Sequence, residues 1–299
     1  MSRLRFLVSL ITKSNDYQVE QAVAAQKMAL QLGVDAEILY AENDAITQST
    51  QILKAIQAAQ EARPNGVIFE PVGGTALPQV ARAAAAANIA WAVLNREADY
   101  ITELRKTTKS PFFSLSSDHT EIGKIQGKQF CALLPRGGTV LYLQGPSENS
   151  AARERAMGMQ TTISSNIQIT TLRGQWTEES AYKSVNSWLK LNVAQKVHFH
   201  LVGAQNDLMA MGARKAFQDI DKESERELWL RLPYTGVDGL EKTGKSWVRT
   251  GVLTATVIVP TNADQAMSML TKAIRVSGNV PEHTFTAATS FPALEKLAG

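Results

Sequence analysis

The sequence predicts an α/β protein made of two doubly wound parallel-sheet lobes, and three observations carry that prediction. Apolar runs of strand length alternate with segments of helical periodicity along nearly all of the 299 residues. The alternation pauses around residues 116–118 and then restarts. The strand-like runs also end repeatedly in the same kind of polar group: Asn95-Arg96, Gly145 followed by Arg153 and Arg155, Asn206-Asp207, and Asp238-Gly239. In an open parallel sheet, ligands bind in the crevice outside the carboxyl ends of the strands, which is where such groups would collect.

Residues 6–11 read as the first strand. Val19, Ala22, Val23, Gln26 and Leu30 then recur at helical spacing, and Gly33 suits the helix stop. Residues 36–40 read as the second strand. Ile52, Ile56 and Ala59 line one face of the next helix, and Pro64-Asn65-Gly66 turns the chain into a strand at 67–69. The alanine-rich segment 77–88 is helical, 90–94 is the fourth strand and 112–115 the fifth. After the pause come a helix at 120–133, the turn Pro135-Arg136-Gly137-Gly138 and a strand at 139–143. A helix at 151–164, a strand at 167–171, a helix at 178–191, a strand at 197–202 and a helix at 208–218 follow. Residues 229–234 and 253–259 read as further strands. Short connections between alternating elements imply right-handed crossovers. No flexible linker separates the halves, so 116–118 reads as a tight crossover within a hinge rather than a tether between modules.

Composition sets outer bounds. The chain is 44% hydrophobic and 20% charged, typical of a soluble globular protein. A net charge of +3 is too small to argue for nucleic acid or a membrane surface. No stretch approaches the roughly 18 apolar residues of a spanning helix. Cys131 is the single cysteine; it excludes an internal disulfide, and its neighbours Phe130, Ala132 and Leu133 make it an expected buried structural thiol. Arg3 and Arg5 ahead of an apolar run faintly resemble a secretion signal, but the run is short and no cleavage site follows. His198 and His200 share one side of an expected strand without a third metal ligand nearby, so no metal and no cofactor are expected. There is no P-loop and no nucleophile elbow, so nothing in the sequence signals catalysis.

Each candidate residue has a simpler alternative. Asn206 and Asp207 suit a helix N-cap, though one of the pair can cap while the other faces a ligand. Arg153 and Arg155 stand in the first turns of a helix, where cations oppose the dipole at a cost of about 0.3–1 kcal/mol. Ion pairing with Glu148 or Glu154 is the simpler compensation; the sharper one is that Arg155 clamps ligand oxygens. Arg96 either pairs with Glu97 or joins Asn95 in offering donors and an acceptor to vicinal hydroxyls. Asp238 is a helix cap or a ligand carboxylate, with Gly239 permitting close backbone approach. Trp176 and Tyr17, in expected loops before helices, are packing residues or platforms for the apolar face of a sugar ring. Trp91 and Trp188 read as core.

These residues also carry a family resemblance. Ser150-Ala151-Ala152-Arg153-Glu154-Arg155 with Gly158, and Gln205-Asn206-Asp207 with Met209-Ala210 and Gly212-Ala213, resemble the ribose-type periplasmic sugar-binding proteins. So do Asn15 ahead of Ala25-Gln26-Lys27, Asn95-Arg96, Asp238-Gly239 and Leu253-Thr254-Ala255-Thr256. The similarity runs from about Phe6 to about Met269. The same fold forms the effector domain of lactose-repressor-like transcription factors, but no N-terminal helix-turn-helix is recognisable. The resemblance implies two lobes joined by a three-segment hinge near 116–118, 259–261 and 286–289, with a ligand cleft between them. The N-terminal lobe would be 1–117 plus 260–287 and the C-terminal lobe 118–259 plus 288–299.

It further implies a ligand site of Asn15, Tyr17, Gln18, Asn95, Arg96, Arg155, Trp176, Asn206 and Asp238. Five positions depart from the family pattern. Ile11 stands for a serine, Gln18 and Val237 for aromatics, Asn95 for an aspartate and Val259 for a glutamine. The losses at Ile11 and Val259 argue against ribose itself. The expected function is capture of a monosaccharide or polyol by hinge closure for an ABC transporter permease. The chain is expected to be a monomer, periplasmic or membrane-tethered outside the cell, with any signal sequence missing from this chain; a cytoplasmic location stays open. A sensor docking on a chemoreceptor or histidine kinase, a cytosolic regulator and an enzyme are the alternatives.

Overall fold

The computed structural model describes residues 3–73, 76–96, 98–191, 197–276 and 278–297. The chain divides into two compact units, Met1–Ser117 with Thr261–Thr286, and Asp118–Pro260 with Ala287–Gly299.

In the first unit, with elements numbered in chain order, the strands are β1 (Arg5–Leu10), β2 (Asp35–Tyr40), β3 (Gly66–Phe69), β4 (Ala90–Leu94), β5 (Phe112–Ser117) and β11 (His283–Thr286). They form a sheet of order β11-β5-β4-β3-β1-β2 in which every pair is parallel. Helices α1 (Asp16–Leu32) and α11 (Ala263–Val276) cover one face; α2 (Ala45–Gln57), α3 (Pro78–Ala86) and α4 (Tyr100–Thr107) cover the other. Phe6, Val8, Ile68, Ala92 and Leu94 pack with Ala22, Ala25, Met267 and Leu270. Leu7, Val67, Phe69, Trp91 and Val93 pack with Ile52, Val80 and Ile101. Burial on both faces explains why these strands read as unbroken apolar runs.

The face of α1 differs from the expected one. Val19, Val23 and Leu30 are 39%, 48% and 78% exposed, whereas Gln18, Gln21, Ala22, Ala25 and Ala29 are buried. The small alanines seat α1 against the sheet and α11, while Gln18 and Gln21 reach polar strand ends. Gly33 does end the helix, in a left-handed conformation at φ 64° that a side chain would strain. Ala59 lies past the end of α2 and is exposed.

The second unit holds β6 (Gly138–Gln144), β7 (Ile167–Arg173), β8 (Leu201–Ala204), β9 (Tyr234–Asp238), β10 (Ala255–Ile258) and β12 (Thr289–Phe291), in the order β12-β10-β9-β8-β6-β7. All pairs are parallel except the edge strand β12, which runs antiparallel to β10. Its helices are α5 (His119–Leu133), α6 (Ser150–Gln160), α7 (Glu178–Leu189), α8 (Asp207–Gln218), α9 (Glu223–Leu230) and α10 (Gly244–Arg249).

Several expected elements move. Residues 229–230 close α9 instead of opening a strand, because the apolar run serves an aromatic cluster: Trp229 stacks on Phe217 at 4.2 Å between ring centroids and also meets Phe199 and Trp188. A short apolar run does not distinguish helix from strand. Strand β8 starts only at Leu201, so His198 and His200 precede it. Their rings sit edge to face at 4.9 Å, and His200 Nδ1 accepts from the Thr139 amide at 3.1 Å. Helix α6 stops at Gln160 and α7 at Leu189, short of the expected ends. Cys131 is half-buried rather than buried, its Sγ donating to the Thr162 carbonyl at 3.4 Å.

Helices α5 and α6 approach so closely that glycine is required at their crossing. A Cβ at Gly123 would lie 2.0 Å from the Arg155 carbonyl oxygen, and one at Gly158 would lie 2.0 Å from that of Thr120. Backbone, not a pliable side chain, is the obstacle. The crossing fixes the turn of α6 that carries Arg155. Gly158→Ala is expected to destabilise the protein by about 2–3 kcal/mol through overpacking, read as a lowered urea midpoint at unchanged slope. A midpoint equal to wild type would show that the helices part freely.

Candidate functional site

In the first unit, β1, β3 and β4 are neighbours, and the residues leaving their carboxyl ends form one polar group. Asn15 caps α1, its Oδ1 accepting from the Gln18 amide at 3.2 Å. Gln18 turns its Oε1 back to the Ile11 amide at 3.0 Å. Tyr17 lies in the first turn of α1, not in a loop, and is buried. Asn95 takes a left-handed backbone conformation at φ 55°, and its Oδ1 accepts from Asn262 Nδ2 at 2.6 Å. Arg96 is buried and donates through Nη1 to the Asn95 carbonyl. Its simpler expected partner, Glu97, lies outside the described residues. A buried relay holds the group: Gln21 Oε1 accepts from the amides of Asn262 (2.8 Å) and Ala263 (2.9 Å), and Thr286 Oγ1 donates to Asn262 Oδ1 at 3.0 Å.

Sequence reasoning missed Glu70. It immediately follows β3 and is buried, with Gln18, Asn95 and Gln21 around its carboxyl and the Arg96 guanidinium beside it. Burial pushes its pKa up from the ordinary value, against the opposing pull of Arg96 and the three amides. Among the described residues, Glu70 Oε2 has no hydrogen-bond partner. The available signal was the pattern already used elsewhere, a charged residue ending an apolar run.

In the second unit, Arg155 projects from α6 and is buried. Its Nη1 donates to the Gln205 carbonyl, its Nε lies 3.4 Å from His119 Nδ1, and its guanidinium carbon stands 5.4 Å from the centroid of the Trp176 ring. The neighbouring Arg153 is exposed and donates to the Ser147 carbonyl at 3.0 Å, so neither Glu148 nor Glu154 holds it through that bond. Trp176, at φ 64°, lies against Gly145, where a Cβ would meet the indole at 2.4 Å. Gln205, which carries part of the resemblance but was not among the expected ligand residues, ties this corner together. Its Oε1 accepts from the Gly145 amide and its Nε2 donates to the Ala152 carbonyl, each at 2.9 Å.

Asn206 and Asp207 divide their work differently from the expectation. Asn206 caps α8 by accepting from the Met209 amide at 2.8 Å, and it also donates to the Trp176 carbonyl at 2.9 Å. Asp207 is fully buried; Oδ1 accepts from Thr256 Oγ1 at 2.7 Å and Oδ2 from the Gly239 amide at 2.8 Å. It ties α8 to β10 and to the turn after β9. Asp238 is buried at the end of β9 with φ 107°. The next helix starts only at Gly244, so Asp238 does not cap it.

Each unit therefore gathers, at the carboxyl ends of its strands, a buried arginine, a buried carboxylate, amide side chains and an aromatic ring. Such sets donate to and accept from hydroxyl groups. The family model for the periplasmic binding protein domain matches residues 6–278. The chain belongs to this family. As a periplasmic binding protein, it is 29% identical over 247 residues to the ribose import binding protein of Escherichia coli (strain K12), covering 82% of this chain and 76% of the relative. Solved structures share the fold. The arabinose-binding component of an ABC transporter from Shewanella sp. ANA-3 superposes with a TM-score of 0.81 at 21% identity, covering 98% of this chain and 93% of the other. A solute-binding protein from Actinobacillus succinogenes 130z with bound D-allose gives 0.82 at 18%, covering 99% of each. Among the described residues of this periplasmic binding protein, no helix is long and apolar enough to cross a membrane.

Two outcomes follow from the carboxylates. Asp207→Ala strands a buried amide and a hydroxyl and is expected to cost about 3 kcal/mol, while Asp207→Asn, which keeps one acceptor, costs less; urea melts of the two variants check the order. For Glu70, a raised folded value means the native state holds its proton more tightly than the unfolded chain. This contribution is full below the ordinary value of 4.5 and is lost as pH rises through the raised value. Wild-type protein is therefore expected to lose thermal stability relative to Glu70→Gln as pH rises above that ordinary value. Parallel pH profiles would contradict it.

Proposed function

We propose that this protein reversibly captures a neutral monosaccharide or polyol and delivers it to the permease of an ABC transporter from the periplasmic side of the membrane. The observation that carries the proposal is the recurrence, in each unit, of a buried arginine held at the strand ends beside amides and a carboxylate. Arg96, Arg155, Asn206 and Asp238 would hydrogen-bond ligand hydroxyls, with Asn15, Gln18 and Asn95 contributing amide groups. Tyr17 and Trp176 would cover the faces of the ring. The names of the relatives, which bind ribose, arabinose or D-allose, support a sugar-sized ligand. The buried apolar side chains of Val237 and Val259 narrow the set of hydroxyls that find partners.

Nothing in this reading requires turnover. Asp207 is committed to protein donors, and the protein is proposed to release its ligand unchanged. Isothermal titration against a panel of pentoses, hexoses and cyclic polyols tests the proposal. At least one should bind with micromolar or tighter affinity. Arg96→Ala and Arg155→Ala, each removing a charged donor from a different unit, should weaken that ligand by about a hundredfold or more. Absence of binding across the panel, or indifference to both substitutions, would count against it.

A further inference from the structure

Arg96 is buried, and a guanidinium stays charged at any accessible pH, so burying it demands a compensating charge. Strand β3 pairs with β4 in a register that sets Phe69 beside Val93, so Glu70 leaves its strand level with Leu94, two residues before Arg96 on the neighbouring chain segment, and its carboxyl feels the charge of that guanidinium. The other side chains around the Glu70 carboxyl, Gln18, Gln21 and Asn95, are neutral amides. Glu70 Oε2 keeps an unused acceptor position among the described residues. The contrast with Asp207 is informative, since both of that carboxylate's oxygens are taken by protein donors.

We propose that Glu70 is a specificity-determining residue, which neutralises Arg96 and selects uncharged polyhydroxy ligands over their carboxylate derivatives. The inference rests on the sugar-capture reading above. A ligand hydroxyl can donate to Glu70 Oε2 while accepting from the guanidinium. A ligand carboxylate has no proton to donate at neutral pH and would face a second carboxylate across a desolvated contact. Glu70 thus does more than hold Arg96 in place: its charge decides which ligands the arginine serves.

The test uses the full chain and calorimetric titration at neutral pH with D-galactose, D-glucose and D-ribose, each paired with its uronic or aldonic acid. Wild type should bind a neutral sugar and disfavour its acid by about a hundredfold. Glu70→Gln, which removes the charge at nearly constant shape, should narrow that ratio by about tenfold or more, and Glu70→Asp should largely keep it. If Glu70→Gln does not fold, as read by circular dichroism, Arg96→Gln supplies the converse: the uncompensated carboxylate should widen the ratio. An unchanged ratio in folded Glu70→Gln, an unchanged or narrowed one in Arg96→Gln, or wild type preferring the acid overturns the inference while leaving sugar capture standing. A wild-type protein that binds neither class overturns sugar capture, and the inference falls with it.

Discussion

The constraint on which the rest depends is that a parallel sheet brings the carboxyl ends of its strands to one side, where polar groups are buried and must be satisfied. Apolar packing on both faces builds the two sheets. It supplies no partners for the chain where strands end and helices begin. Buried polar groups left without hydrogen bonds cost more than most single packing defects. Each unit answers with side chains drawn from several elements. In the first, Gln21, Asn262, Asn95 and Thr286 bond one another across α1, β4, α11 and β11. In the second, Asp207 accepts from Thr256 and from the turn after β9, while Gln205 accepts from the Gly145 amide after β6 and Asn206 from the Met209 amide in α8.

Satisfaction is unequal, and the inequality is where function enters. Asp207 spends both oxygens on protein donors, in a space so confined that a Cβ on Gly244 would lie 2.0 Å from Oδ2. It is a structural carboxylate, although by position alone it was as good a ligand candidate as Asn206. Glu70 occupies the corresponding kind of place after a central strand but retains capacity. The resemblance implied an aspartate where Asn95 stands; in this chain a carboxylate beside Arg96 comes instead from the neighbouring strand, as Glu70. A charge relocated from one strand end to the next leaves the pattern of Asn95-Arg96 readable while changing which atoms meet the ligand.

The strands of the fold were legible because two-sided burial writes them as short apolar runs, and β4 falls on the residues that sequence alone indicates. The helix N-terminus at Asn206 was legible because capping chemistry restricts which residues stand there, whereas α1 starts at Asp16, ahead of the loop expected to hold Tyr17. What failed to show had weak or ambiguous patterns. Helix α9 has eight residues and buries none of them, so its closing Trp-Leu looked like the start of a strand. The edge strands β11 and β12 are four and three residues long. The inner face of α1 was misread because it buries glutamines and alanines and leaves Val19, Val23 and Leu30 outside. Glu70 ends an apolar run as the other candidates do, but its importance, like the role of Gln205, lies in partners remote in sequence.

The most direct measurement of the central claim is a crystal structure of the protein grown with the tightest-binding sugar of the panel. The account predicts electron density for the ligand with its hydroxyls within hydrogen-bond distance of Arg96 and Glu70 and of Arg155 and Asp238. Density at the opposite, amino ends of the strands, or a ligand that leaves both buried arginines untouched, would contradict it.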